Sequence, residues 1–512
     1  MDDLTPVIIG VGEASERIDA PDYAALSPVE LAAHAAKAAC EDTGADVAPA
    51  IDVIAAIRQF EVSGAHAVAP FGKSDNFPRS VARRIGADPA RAILEVVGGQ
   101  GPQHLINEFA QAIGKGEMTM ALICGSEAIS TVRDLTSRGE TRDWSETVGG
   151  QLEDRGYALD GLVTAELANH GARTPIQLYA LYENARRAKR GLGRAAYALE
   201  MGELFAPFTK VASANPHAMS REVFDAEGLA TITPKNRLVA DPFPRRMIAR
   251  DQANQGAAVL ITSAGKAREL GVPQDRLVYL HGGADVAERT PIERQDLSAY
   301  PAAGVAARRA LELAGIGVAD VALFDLYSCF PVAVFDVREE LGIAPDDPRP
   351  LTVTGGLPFF GGAGNNYSMH AIASMVRALR ERPGAYGFVG ANGGFLSKYS
   401  TGVYSTAPAA WKGFSSKDLQ DQINAWPAPG PAPDEAMSGT VETYTIDYGR
   451  GDPAGVLVCR TAAGERFVAM TDPADLTLVK QMIDQEPLGA AVTCRLDERG
   501  RRVLASFEPA KG

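Results

Sequence analysis

The chain has 512 residues, 46% of them hydrophobic and 22% charged, with a net charge of −14. This composition excludes a long disordered protein, and the acidic balance gives no general electrostatic reason to bind nucleic acid or an anionic membrane. Glycine is abundant at 52 residues and aromatic residues are scarce at 7%, the balance of an α/β protein with many tight strand–helix turns.

The opening residues Met1-Asp2-Asp3-Leu4 carry no basic region followed by an apolar stretch, and no apolar run approaches the ~20 residues that span a bilayer. The five cysteines, Cys40, Cys124, Cys329, Cys459 and Cys494, form no C-x-x-C pair. Neither a zinc site nor a disulfide framework is expected, and the economical expectation is a soluble cytoplasmic protein.

In chain order, residues 7–12 are a short apolar run ending in glycine, the pattern of a buried strand. Residues 27–42 read as a helix: Ser27 can cap it, Pro28 holds the first position, and Glu30 stands three residues after the cap. Gly10-Val11-Gly12 matches a dinucleotide loop only in part, because Ser15 stands at the third glycine position. Gly72-Lys73-Ser74 is no P-loop, because Ala67 stands at the upstream glycine. No G-x-S-x-G elbow and no metal-binding histidine pair occurs.

Strands and helices then alternate, which favours a parallel sheet covered by helices. Residues 92–97, the loop Gly98-Gly-Gln-Gly101, a helix over 102–114 and a strand over 120–124 form one unit. A second unit repeats the order: a strand over 351–354, a glycine loop over 355–364, a helix over 368–380, a strand over 386–389 and Gly390-Ala-Asn-Gly-Gly394. This reads as a duplicated α/β half with pseudo-twofold symmetry, at a period far too long for a solenoid. Between the units Arg186, Arg187, Lys189, Arg190 and Arg194 crowd together, either as a solvated helix face or as a phosphate-facing insertion.

Pro427, Pro429, Pro431 and Pro433 form a semi-rigid linker. Beyond it, strands are expected over 440–447, 456–461, 466–470, 491–496 and 502–507, with a helix over 475–485 after the third. That is the order of an OB-type barrel. Residues 434–512 hold 13 acidic and 9 basic residues, so an electrostatic groove for a polyanion is not expected.

Four loops at strand ends carry the chemistry: Gly98-Gly-Gln-Gly-Pro-Gln103, Leu326-Tyr-Ser-Cys-Phe330, Gly355-Gly-Leu-Pro-Phe-Phe-Gly-Gly-Ala-Gly364 and Gly390-Ala-Asn-Gly-Gly394. With Ser213-Ala-Asn-Pro-His-Ala218 and the stretch around Gln255-Gly-Ala-Ala258, they make residues 5–410 resemble the thiolase superfamily, and the sterol-carrier-type thiolases in particular. With the added C-terminal domain, the chain resembles the thiolase-like protein type 1 group, often labelled acetyl-CoA acetyltransferases. The resemblance implies two mixed five-stranded sheets around central helices in a layered α/β/α/β/α core. The implied division is 1–130 with 220–265 as the first half, 131–219 as a loop insertion that binds coenzyme A, and 266–424 as the second half. A linker over 425–437 and an OB-like domain over 438–512 complete it.

The family's reactive residues do not carry over. The nucleophile of C-x-S-G-x-Q is Gly98 here, the G-H-P motif is Gly361-Gly362-Ala363, and the cysteine of C-x-G is Ala391 before Asn392 and Gly393. The N-E-A-F or H-D-C-F motif is Tyr327-Ser328-Cys329-Phe330, with Cys329 at a non-catalytic position. Ordinary thiolysis is therefore not expected. The resemblance places the Gly98 and Gly393 amides at an oxyanion hole and makes Tyr327, Tyr367 and His370 the candidate catalytic groups. Asn392, Arg186 and Arg187 are the candidate substrate contacts. Thiolase-like aldolases are similar in using tyrosines where thiolases use cysteines, and in working with a separate OB-containing partner.

The leading expectation is an acyl-CoA thioester-binding protein of lipid or sterol side-chain metabolism that acts by enolate, aldolase- or acyltransferase-like chemistry. Coenzyme A is a substrate moiety, with no tightly bound cofactor and no metal, and the protein is a homodimer or a monomer. The rival is a catalytically silent acyl-CoA or lipid binder whose OB-like domain docks a partner. A true thiolase using an unrecognised cysteine comes third; Cys124 could serve only if it faced the pocket, and its strand context places it in the core.

Overall fold

The computed structural model describes residues 2–449 and 451–510. The first helix, Pro28–Asp42, starts at its cap: Ser27 Oγ accepts the Glu30 amide at 3.2 Å and Glu30 accepts the Ser27 amide at 2.8 Å. Its small face of Ala32, Ala35, Ala36 and Ala39 packs onto the strand Pro6–Ser15. Gly10 and Gly12 make that approach possible, since a Cβ on either would overlap the carbonyls of Ala39 and Ala35. These glycines therefore serve helix–sheet packing and not a dinucleotide.

Ten strands form the main sheet. In spatial order they are Val321–Leu326, Tyr386–Gly393, Lys398–Ser405, Val278–Ala287, Pro6–Ser15, Asn254–Ser263, Met120–Ala128, Val53–Ala56, Arg91–Leu94 and Glu153–Asp154. The two halves join where Val7 and Ile8 meet Tyr279 and Val278. The helices Gly101–Gly114 and Tyr367–Arg380 touch strands of both halves and each other, so they form a shared middle layer. The helix Pro28–Asp42 covers one half and the helix Pro301–Ala314 the other, which completes five layers.

The halves are not equal sheets of five. The expected strand over 351–354 does not form, because the buried carboxylate of Asp325 gathers that segment into a turn. Asp325 Oδ2 accepts the Val353 amide at 2.9 Å and the Thr352 hydroxyl at 3.0 Å, taking donors a strand neighbour would need. On the opposite edge, Glu153–Asp154 pairs in parallel with Arg91–Leu94.

The C-terminal domain is a closed five-stranded barrel of Ser438–Asp447, Ala454–Arg460, Arg466–Met470, Ala491–Leu496 and Arg502–Glu508. Its closing strand Ser438–Asp447 pairs with both Ala454–Arg460 and Ala491–Leu496. Arg466–Met470 meets Arg502–Glu508 in parallel, through Met470 and Val503. Tyr444, Leu457, Phe467 and Leu504 fill its core, and Val479 of the helix Thr477–Asp484 plugs one end. The barrel is docked on the rest of the chain: Ser438–Asp447 packs along the helix Pro175–Arg190, and Asp447 pairs with Ala240. Fully buried Arg466 donates to the carbonyls of Ile292 and Arg294 and pairs with Glu442. Among the described residues, no helix is long and apolar enough to cross a membrane.

Candidate functional site

The glycine loops converge at the N-terminus of the buried helix Gly101–Gly114. Gly98 has φ +145°, a backbone that L side chains rarely adopt, so the place of a nucleophile is built for glycine. A Cβ on Gly98 or on Gly393 would overlap the same atom, Gln100 Oε1. The Gln100 side chain, 6% exposed, thus fills the space between the two glycines. The Gly98 amide is already taken, donating to Asn365 Oδ1 at 3.0 Å. This corrects the expectation of a free oxyanion donor at Gly98: a buried N–H seeks a partner, and Asn365 supplies it. Asn365 also donates to the Arg58 carbonyl at 2.7 Å and to Ser63 Oγ at 3.2 Å. Asn365 does not stand out in the sequence, because its partners Gly98 and Arg58 lie 267 and 307 residues away, and the role of Gln100 depends on Gly393 of the opposite half.

Tyr327 is half-buried, with its hydroxyl against Gly99, where a Cβ would overlap it. Among the described residues that hydroxyl has no hydrogen-bond partner, and burial pushes the phenol well above its ordinary range. The Tyr367 ring meets the Tyr327 ring edge-on at 5.4 Å. Its hydroxyl points elsewhere, to Thr354 Oγ1 at 2.6 Å and Asp325 Oδ1 at 3.2 Å. His370 is fully buried, with Nδ1 2.6 Å from Glu13 Oε1. Burial opposes ionisation of Glu13, but His370 and Arg377 outweigh it and hold the carboxyl down to about 2. The expected relay from Tyr327 to Tyr367 or His370 is therefore not hydrogen-bonded: the rings of the two tyrosines meet, while His370 is bonded to Glu13, tying the central helix to the first strand.

Asn392 is 2% exposed and donates to the Tyr179 hydroxyl at 2.7 Å. Ala391 is fully buried, and the Gly362 amide donates to the Arg250 carbonyl at 2.7 Å. Arg186 and Arg187 do not face a ligand. Each is 1% exposed; Arg186 pairs with Glu200 at 3.0 Å and with Glu339, and Arg187 pairs with Glu486 of the C-terminal domain at 2.7 Å. Arg186 and Arg187 form a buried clamp, because desolvated guanidinium groups demand carboxylate partners, while Lys189 and Arg190 of the same helix stay exposed. Burial lifts the thiols of Cys124 and Cys329 to about 12, far from the thiolate a nucleophile needs.

A cavity of about 320 Å³ lies beside these loops. Lys235, Arg245, Arg246 and Arg250 line it, and none pairs with a carboxylate among the described residues. Burial, and then the neighbouring cations Arg17 and Arg245, lower the Arg250 guanidinium below its usual value. Glu222 and Asp251 also line the cavity, but the four cations outnumber them, and that excess favours an anionic ligand. The segment that carries Arg250 threads between two loops of the site: the Ala249 amide donates to the Cys329 carbonyl at 2.8 Å, and the Arg250 amide to the Leu357 carbonyl at 3.1 Å. The sequence reading missed this cluster, whose signal was Arg245-Arg246 and Arg250 just before Gln255.

The family described as thiolase-like protein type 1 additional C-terminal domain matches residues 418–499. No curated protein matches the chain. The crystal structure of a monomeric SCP2-thiolase like protein type 1 from Mycobacterium smegmatis is 44% identical, with a TM-score of 0.84 over 99% of this chain and 100% of that one. The Ltp2-ChsH2(DUF35) aldolase shares the fold at 18% identity and a TM-score of 0.57, over 78% of this chain and 98% of that one. Human mitochondrial 3-ketoacyl-CoA thiolase in complex with CoA shares it at 18% identity and a TM-score of 0.54, over 80% of this chain and 100% of that one. With a full-length relative this similar, the chain belongs to the SCP2-thiolase-like protein type 1 family of the thiolase superfamily.

Proposed function

We propose that the protein binds acyl-CoA thioesters without thiolase chemistry, as a non-thiolytic acyl-CoA binder. The observation that carries this reading is Gln100 filling the space between Gly98 and Gly393 while Asn365 holds the Gly98 amide. The Gly98 amide is not open to a thioester carbonyl, and no cysteine stands in either loop. The unpaired cations around Arg250 supply a place for the phosphates of the CoA moiety, and the CoA complex of the human thiolase supports that ligand class. The fused barrel, held by Arg187 and Arg466, acts as a fixed part of the fold.

Calorimetric titration with CoA tests the reading. The wild type is expected to bind one equivalent, and an Arg245→Ala/Arg250→Ala chain at least about tenfold more weakly, the scale of one lost charge-assisted hydrogen bond. No binding to the wild type, or equal binding to the variant, contradicts it. One observation favours a second reading, enolate chemistry of the aldolase kind: the unpartnered Tyr327 hydroxyl over Gly99. Under that reading a CoA ester turns over and Tyr327→Phe lowers its rate by ~10²–10⁴-fold.

A further inference from the structure

A second cavity, of about 160 Å³, opens between the segment after the strand Val53–Ala56, the start of the helix Phe77–Arg84 and the insertion. It shares no lining residue with the cationic cavity. Phe77, Trp144 and Tyr157 supply aromatic walls. Trp144 is braced edge-on by Phe71 at 5.2 Å, and the Arg58 guanidinium lies 4.9 Å from the centre of the Tyr157 ring. A space of ~150 Å³ holds a benzene-sized molecule.

The polar lining is incomplete in a specific way. Arg58 is 4% exposed and pairs with Asp154, but its Nε has no acceptor. Glu61 makes no hydrogen bond or ion pair among the described residues, and its Oε1 is buried without a donor. Close by, Glu127 is 1% exposed, and it accepts the Phe60 amide at 2.9 Å while its Oε2 stays unpartnered. Buried polar atoms are nearly always satisfied, so unmet groups beside a cavity point to a missing ligand. One unmet donor and one unmet acceptor sit on two residues that line the same space. A hydroxyl answers both, because it gives and takes a hydrogen bond. The lining carries both signs, Arg58 and Lys73 against Glu61, Asp75 and Asp154, so it suits a neutral molecule better than an ion of either sign.

We propose that this cavity binds a small monocyclic phenol, with its ring against Trp144 and Tyr157 and its hydroxyl donating to Glu61 and accepting from Arg58. The site is coupled to the glycine loops through Asn365, which joins the Arg58 carbonyl to the Gly98 amide. The proposal is independent of CoA binding.

Calorimetric titration of the full chain with phenol and with toluene tests it. Phenol is expected to bind one equivalent at least about tenfold more tightly than toluene, which lacks the hydroxyl but has a similar ring. Glu61→Leu is expected to erase that preference at an unchanged melting temperature. Phenol is also expected to change tryptophan fluorescence in the wild type and not in Trp144→Phe, a readout that stands if Glu61→Leu fails to fold. No phenol binding, equal affinity for toluene, a preference that survives Glu61→Leu, or a fluorescence change that persists in Trp144→Phe overturns the proposal.

Discussion

The two halves repeat strand, glycine loop and buried helix, but they hold their loops by different means. The first loop is gripped by the opposite half: Asn365 takes the Gly98 amide, Ser368 donates to the Gly99 carbonyl at 2.6 Å, and Tyr404 donates to Gln103 at 2.7 Å. The second loop is gripped at its start from within its own half, while its later part, Leu357 to Gly362, meets Arg250 and Gln255 of the first half. Thr352 Oγ1 accepts the Gly355 amide at 3.0 Å, Thr354 Oγ1 accepts the Gly356 amide at 3.1 Å, and Ser328 Oγ accepts the Leu357 amide at 3.1 Å, all around Asp325. The first loop therefore reports on how the halves meet, and the start of the second, Gly355 to Leu357, on how one half folds. Losing a reactive residue has different structural meaning in each: Gly98 is locked by φ and by Gln100, while Gly362 lies on a backbone contact with Arg250.

Removing the Asp325 carboxylate breaks the comparison most strongly. It accepts bonds from Thr352, Val353 and Tyr367, so Asp325→Ala leaves several buried donors unmet and is expected to cost about 4 kcal/mol. Denaturant unfolding measures the loss. Hydrogen exchange in the variant is expected to rise at Val353 and Gly355 with Gly98 still protected, and equal loosening of both loops would show that they are not independently held.

A second test uses pH at the clamp between insertion and core. Glu183 is fully buried; burial raises its carboxyl to about 7, against the opposing hydrogen bond of Tyr197 and the charge of Arg186. A carboxyl raised in the folded state binds more protons folded than unfolded. Its share of stability is thus fully present below the unfolded value of 4.5 and is lost as pH rises through 7. The wild type is expected to lose about 3 kcal/mol more than Glu183→Gln between pH 4.5 and 7, as order-of-magnitude linkage. Parallel curves for the two proteins would contradict the assignment. Glu13 has the opposite sign and titrates below this window: its contribution is present above 4.5 and is lost as pH falls through about 2.

The smallest effect sharpens the reading of the first loop. Gly98→Cys is expected to cost about 2 kcal/mol, from a left-handed backbone forced on an L residue and from overlap with Gln100. Adding Gln100→Ala relieves the overlap and leaves the backbone strain, so part of the loss is recovered. Full recovery would mean that φ at Gly98 carries no constraint.

Much of the fold is legible in the sequence, because it rests on local signals. The capping box at Ser27 and Glu30 sets the first helix, and 466–470 and 491–496 coincide with observed barrel strands. The segment over 351–354 was misleading because its alternation fits a strand, while Asp325, which diverts it, lies 28 residues from Val353. The site was less legible. Arg186 and Arg187 read as a solvated or phosphate-facing run, yet their partners Glu339 and Glu486 lie 153 and 299 residues away. Periodicity reports which face of an element is buried and never which distant side chain completes it.

Native mass spectrometry after incubation with β-hydroxyacyl-CoA and β-ketoacyl-CoA esters tests the central claim most directly, since one spectrum reads both binding and chemistry. The account predicts a 1:1 non-covalent complex that releases each ester intact, with no acylated cysteine. Cleaved esters, an acyl adduct at Cys124 or Cys329, or no complex with any ester would contradict it.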